Sequence, residues 1–356
     1  VKRFLFLDWL RGLAVVIMIQ CHVFNSFTRP DLRQSGGYLL SQFVGGMAAP
    51  LFLFMAGMTS GFQMESFERR ETRPVRRWVA ALRRAGYILF IAFLFRFTNT
   101  IGSWPRPNLQ ELLKVDILNC MGLAMAVFAL AALFDFEQRV RFALGTALAV
   151  AAAAPLVSGL DWAGVPTVVK YYLVPGPDRG QFPFFPCAAY LGFGLAVGSL
   201  VKRAAAERMD RLTQWAVLIG FTLIFAAEYF ANLPYSVYAA SDFWRNSPAL
   251  IFIRVGVALL LLAGAFLWTE HLARPGWSWL RTLGQASLLV YWVHVVMVYG
   301  DLAWPLKRSL TPAWSALAFA VLTILMVGLA EARLRYRARR MTRWKALTTV
   351  AGAAEA

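Results

Sequence analysis

Ten mostly apolar runs, each near the roughly 20 residues an α-helix needs to cross a bilayer, dominate this sequence of 356 residues. They fall at about 5–26, 38–63, 80–99, 113–134, 141–158, 182–201, 213–232, 248–269, 280–301 and 313–333. A backbone in lipid must satisfy its own hydrogen bonds, and a helix does so within one segment. The fold class predicted is all-α: a polytopic integral membrane bundle of about ten transmembrane helices. The runs take up more than half of the chain and leave no room for a separate soluble domain. Residues 1–345 are therefore expected to form one transmembrane domain, and 346–356 a disordered tail. With Gly counted in and Tyr out, about 63% of residues are apolar, against roughly 45–50% in soluble domains. This excludes a soluble globular enzyme, a disordered chain and a disulfide scaffold.

The first run is too long for a cleaved signal, keeps Asp8 and Arg11 inside it and lacks a small-residue cleavage site. It is expected to be a spanning helix. Cys21, Cys120 and Cys187 lie in apolar runs with no pairing pattern and no zinc-like spacing, so neither a disulfide framework nor a metal is expected.

A formal net charge of +17 invites a nucleic-acid reading, but the placement of the charges argues otherwise. With both termini cytoplasmic, 24 basic residues fall on the cytoplasmic side and 9 on the opposite side, with Arg11, Arg96 and Arg254 inside runs. That is the positive-inside asymmetry. The basic clusters at 69–84 and 333–345 then serve topology and contact with anionic lipid. No nucleic-acid partner is expected, because no nucleic-acid fold motif accompanies them. The expected location is the cell membrane.

Ionisable side chains inside spans are costly, so each is a functional candidate. Arg11 and His22 are eleven residues apart, which returns them to within 20° of one helix face, about 16 Å apart along the axis. Asp8 precedes Arg11 by three residues, within reach of an ion pair. Other polar residues collect in the outer half under the same topology: Arg96, Asp116 and Asn119, Glu228, Arg254, His294 and Asp301. If these faces converge, the outer half holds an acid/base-rich cavity, with Arg11 and Asp8 at the inner mouth. The alternatives are structural: a satisfied interfacial histidine at 22 or 294, span-end carboxylates facing water, snorkelling arginines, and an Asp8–Arg11 pair that only positions its helix. In the second run, Gly57 and Gly61 make a small-residue packing face, and Pro50 is expected to kink the helix. Pro183 and Pro186 fit a helix entrance.

In order along the chain, these residues resemble the transmembrane acyltransferase superfamily. Leu7-Asp8-Trp9-Leu10-Arg11-Gly12-Leu13-Ala14 resembles its "LDxLRGLA" opening, and Arg11 through His22 reproduces the Arg-x10-His motif of the acyltransferase-3 branch. Ala49-Pro50-Leu51-Phe52-Leu53-Phe54-Met55-Ala56-Gly57 is similar to the "PLFLFLAG" helix of the heparan-alpha-glucosaminide N-acetyltransferase catalytic domain family. Three further stretches are similar to that family: Val115-Asp116-Ile117-Leu118, Phe182-Pro183-Phe184-Phe185-Pro186, and Gly284 through His294.

The resemblance implies about ten or eleven helices and transfer of an acyl group, acetyl by default, from cytoplasmic acyl-CoA to an extracytoplasmic acceptor, usually a glycan. The heparan activity itself is not carried over, because the luminal extension of the lysosomal relatives has no counterpart in these residues. In those relatives the catalytic His lies beyond the first helix. Loop 27–37 has no His, so the Arg-x10-His motif assigns the role to His22. Arg11 would then bind the CoA phosphates or pantetheine arm, Asp8 would orient Arg11, and His22 would act as general base or carry the acyl group. Asp116, Asn119, Glu228, Arg254 and His294 are candidates for acceptor binding or support. The competing class is a transporter or flippase of a sugar- or lipid-linked substrate, which also uses midplane charges and broken helices; no inverted repeat supports it.

Overall fold

A computed structural model describes residues 4–102, 114–176, 181–204, 208–274 and 276–354. Lys2, Arg3, Arg106 and Arg179, which entered the charge asymmetry, lie outside the described residues. Those residues form thirteen α-helices, joined by short 3-10 and π turns. They are α1 (Leu5–Phe27), α2 (Gly36–Gly45), α3 (Ala48–Glu68), α4 (Pro74–Gly102), α5 (Ile117–Phe128), α6 (Phe136–Ser158) and α7 (Thr167–Leu173). Then come α8 (Phe184–Arg203), α9 (Met209–Ala231), α10 (Pro248–Leu267), α11 (Trp279–Gln285), α12 (Ser287–Tyr299) and α13 (Pro312–Ala354). The described residues contain no strand, only an isolated bridge between Thr28 and Leu310.

Among the described residues, eight helical segments are long and apolar enough to cross a membrane, and a ninth counts if the pair α11–α12, bent by 89°, is one span. The fourth run, expected at 113–134, yields only the shorter apolar helix Ile117–Leu133. Its last turn winds into a 3-10 helix over Ala129–Leu133. Run 38–63 holds α2 and α3. The break falls at Gly46 and Met47, before Pro50 instead of at it. Pro50 then sits in the first turn of α3, where its missing N–H is no loss.

The chain divides into two compact units, Val1–Ala48 with Trp268–Ala356, and Ala49–Leu267. In the first, α11 packs against α1 at two glycines. A Cβ on Gly12 would overlap the Leu280 carbonyl oxygen, and one on Gly284 would overlap the Asp8 carbonyl oxygen. These contacts run in opposite order along the two helices, so α11 is antiparallel to α1. Beyond the bend the order reverses: His22 meets His294 and the Ser26 hydroxyl donates to the Val298 carbonyl at 3.0 Å. Thus α12 runs parallel to α1. α13 returns antiparallel, fixed at one end by the Thr28–Ser315 hydroxyl pair at 3.0 Å. At the α11 end, the Trp277 indole donates to Glu331 of α13 at 3.0 Å.

The second unit is built on a close α3–α8 contact. A Cβ on Gly57 or Gly61 would strike the backbone of Leu191 or Leu195, and one on Gly194 or Gly198 would strike that of Phe54 or Met58. The small-residue face seen in the sequence is therefore half of a reciprocal glycine lock. Its contacts make α3 and α8 parallel. α4 runs against α3 through Arg77–Glu68 and Arg84–Thr59, α5 against α4 through Arg96–Asp116 and Leu89–Gly122, and α6 against α8 through Arg139–Ser199 and Ala147–Gly192. α9 and α10 cross at Gly220 and Gly256.

Candidate functional site

The first unit places His22, on α1, beside His294, on α12. His22 Nδ1 lies 2.9 Å from His294 Nε2, and the two rings stack 10° from parallel with centroids 5.1 Å apart. His294 Nδ1 lies 2.7 Å from the Val290 carbonyl oxygen, one helical turn back. A carbonyl only accepts, so His294 Nδ1 carries a proton; in a neutral ring its Nε2 then accepts. His22 Nδ1–H is the donor to it, which leaves the His22 Nε2 lone pair without a partner among the described residues. His294 is fully buried, whereas His22 is only half-buried. The edge of Tyr299 faces His22 at 5.4 Å between centroids, and the Asn25 amide donates to the Tyr299 hydroxyl at 3.4 Å.

Arg11 and Asp8 lie on α1 about 16 Å and about 21 Å from His22 by helical rise. Their charged groups are 3.7 Å apart; Asp8 is buried and Arg11 partly exposed. The glycine contact with α11 flanks this pair, so backbone approach positions it. Replacing Gly12 with valine forces α11 away from α1. Lower thermal stability of the detergent-solubilised protein is expected, by about 1–3 kcal/mol as for other overpacked contacts, with loss of activity; an unchanged melt would refute the close contact.

The second unit gathers other candidates. Arg96 and Asp116 pair at 3.0 Å, both largely buried. Asp116 caps α5 through the backbone N–H groups of Leu118 and Asn119, and the Asn119 side chain accepts in return from the Asp116 N–H, completing a capping box. The Asn119 amide donates to the Tyr172 hydroxyl at 2.9 Å. Burial raises the Tyr172 phenol above its ordinary pKa and keeps it neutral. Arg254 is half-buried on α10, and Tyr190 is buried on α8. Glu228 sits exposed near the end of α9, and Asp301 is exposed in a 3-10 turn of the first unit. The structure thus joins Asp8 to Arg11 and His22 to His294 in the first unit, and Asp116 to Asn119 and Arg96 in the second.

Sequence reasoning missed a second constellation. Arg139, assigned to topology with the other basic residues, is fully buried; its Nη2 and Nη1 each lie 2.7 Å from a carboxylate oxygen of Glu65 and Glu68. Its Nε donates to Ser199 Oγ at 3.3 Å, and Arg69, Arg77 and Arg203 surround the same two carboxylates. The available signal was two Glu three residues apart at the end of an apolar run, where one basic side chain can serve both.

A search of curated proteins returned no match. The sequence model of the acyltransferase-3 family, described as an acyltransferase domain, matches residues 4–331. That range includes Asp8, Arg11, His22 and His294 together with nearly all of the described helices. The chain therefore belongs to the acyltransferase-3 family, and the eight or nine apolar helices among the described residues make it a multi-pass membrane acyltransferase.

Proposed function

We propose that the protein transfers an acyl group, acetyl in the first instance, from cytoplasmic acyl-CoA to a hydroxyl or amine of a glycan or similar acceptor on the extracytoplasmic side of the cell membrane. The observation that carries this reading is the half-buried His22, whose Nδ1 is held by His294 and whose Nε2 has no partner among the described residues, on the helix that also bears Arg11. In the reaction, His22 Nε2 takes the proton from the acceptor as its oxygen or nitrogen attacks the thioester carbonyl. The C–S bond of the tetrahedral intermediate then breaks, and the departing CoA sulfur takes the proton from His22. Arg11, oriented by Asp8, holds donor phosphate or pantetheine carbonyl at the inner mouth, and the acyl-CoA arm extends along α1 toward His22. A variant with a covalent acyl-histidine uses the same lone pair. No metal takes part in these steps.

The same reading makes ten spans with both termini cytoplasmic. It is supported by the basic asymmetry and by a length of about 28 Å for Ile117–Leu133, from rises of about 1.5 Å in α5 and about 2.0 Å in the 3-10 turn. Kinship with the heparan-alpha-glucosaminide N-acetyltransferase branch rests on the quoted motifs. Asp116 and Asn119, with Arg96, are assigned to acceptor support, as are Glu228 and Arg254.

The test is thiol release from acetyl-CoA by the purified protein in proteoliposomes, with glucosamine as an amine acceptor or maltose as a hydroxyl acceptor. CoA release with acylated sugar is expected; solute movement without CoA release would make the protein a transporter. Arg11→Ala is expected to raise the KM for acetyl-CoA about 10-fold or more, the scale of one lost charge-assisted hydrogen bond, with a smaller change in kcat. An unchanged KM would remove Arg11 from donor binding.

A further inference from the structure

We propose that His294 is the positioning residue of the reaction: it locks His22 in the Nδ1–H tautomer and thereby makes Nε2 the atom that receives the acceptor's proton. The inference rests on the reading of His22 as the base. Its geometric basis is independent of that reading, because the direction of each hydrogen bond in the chain follows from its end. The Val290 carbonyl oxygen has no proton to give, so His294 Nδ1 must donate, and its Nε2 faces His22 Nδ1 at 2.9 Å as an acceptor. Free histidine favours the Nε2–H form, in which the lone pair would point at His294 instead of into the open side. The pair therefore selects the minor tautomer of His22, and the rigid α12 backbone sets the choice.

The arrangement does what a carboxylate does in a Ser-His-Asp triad, but with a neutral ring. In a span this avoids the cost of a buried carboxylate. The other titratable side chains that face the pair are Tyr291, whose ring lies 6.0 Å from His294, and Tyr299, at 5.4 Å from His22. When His22 takes up the acceptor's proton at Nε2, its Nδ1–H remains bonded to His294 Nε2. The positive charge is then shared toward a ring whose far side is already anchored on Val290.

Three histidines occur in the sequence: His22, His271 and His294. Nitrogen NMR of the protein labelled at histidine, in lipid nanodiscs, therefore reads three imidazoles. The expected result is the Nδ1–H tautomer for both His22 and His294. His294→Leu should return His22 to the Nε2–H form and lower kcat for acetyl transfer to glucosamine by about 10²-fold or more, while the KM for acetyl-CoA changes by no more than about twofold. His294→Gln, whose side-chain oxygen falls near the place of Nε2, should keep His22 in the Nδ1–H form and restore most of the activity. His22 found as Nε2–H in the unsubstituted protein overturns the proposal, and so does full kcat in His294→Leu. If the tautomers are as expected but His22→Ala still transfers acetyl, the base reading falls. If His22→Ala is inactive while His294→Leu turns over normally, the positioning role alone falls. Should His294→Leu not fold, the tautomer of the unsubstituted protein and the activity of His294→Gln decide.

Discussion

Replacing His22 with alanine is expected to leave a folded, membrane-inserted protein whose acyl transfer falls about 10²–10⁴-fold, the usual worth of a positioned general base. Folding survives because α1 is held elsewhere: by backbone contact at Gly12 and Gly284, by Ser26 on the Val298 carbonyl, and by Thr28 on Ser315. The local cost is an unpaired Nε2 on buried His294, worth about 1–3 kcal/mol and readable as a modest drop in melting temperature. The loss should appear in kcat, whereas the KM for acetyl-CoA stays near its original value, because the donor phosphates are assigned to Arg11 at the other end of the helix. This split separates His22→Ala from Arg11→Ala. Acetyl transfer at the original rate by His22→Ala would remove the histidine from the chemistry.

The second large effect is one of stability. Arg139→Leu should destabilise the protein by about 3–5 kcal/mol, the scale for removing one member of a buried ion pair. Glu65 is fully buried and Glu68 mostly so. Without Arg139, the ions left to face them are Arg69 and Arg203, both about half-exposed, and buried Arg77 at the longer distance of 3.7 Å from Glu68. Arg139→Lys should recover little, because one ammonium on a flexible stem cannot present parallel donors to two carboxylates and a serine hydroxyl. Combining Arg139→Leu with Glu65→Leu should recover more, since it removes a buried charge from each sign. Thermal unfolding in detergent reads all three, and a melt of Arg139→Leu equal to that of the unsubstituted protein would show the cluster to be idle.

The helical class and eight of the ten runs, or nine with the bent pair counted as one span, were readable in the sequence because bilayer thickness converts directly into apolar length. What escaped was geometry that hydropathy does not register. The run 280–301 reads as one span, yet it bends by 89° between Gln285 and Ser287. Just before the bend, Gly284 meets the Asp8 carbonyl, 276 positions away, a tertiary contact that hydropathy cannot register. The run 113–134 shortens at its start, because the Asp116 side chain caps the helix at Ile117, and hydropathy does not register a cap. At the candidate site, helical spacing placed Arg11 and His22 on one face and brought Asp8 within reach of Arg11. It had no means to pair His22 with a ring 272 residues away, or to see that Asp116 is held by Arg96. Arg139 was misassigned for a related reason. A count of basic residues by side treats each as solvated, whereas this one is consumed by carboxylates of α3.

The antiparallel run of α13 beside α1 carries a parity condition. A chain whose first and last spans point in opposite directions enters and leaves the bilayer by the same face, so its crossings sum to an even number. Nine is odd. The bent pair reaches from the level of Asp8, at Gly284, to the level of Ser26, at Val298, nearly the whole length of α1; counted as one span, it makes the ninth passage. The passage proposed above for Ile117–Leu133 would make the sum even, and the same condition would send α13 out through the wrong face after any insertion that adds a single span.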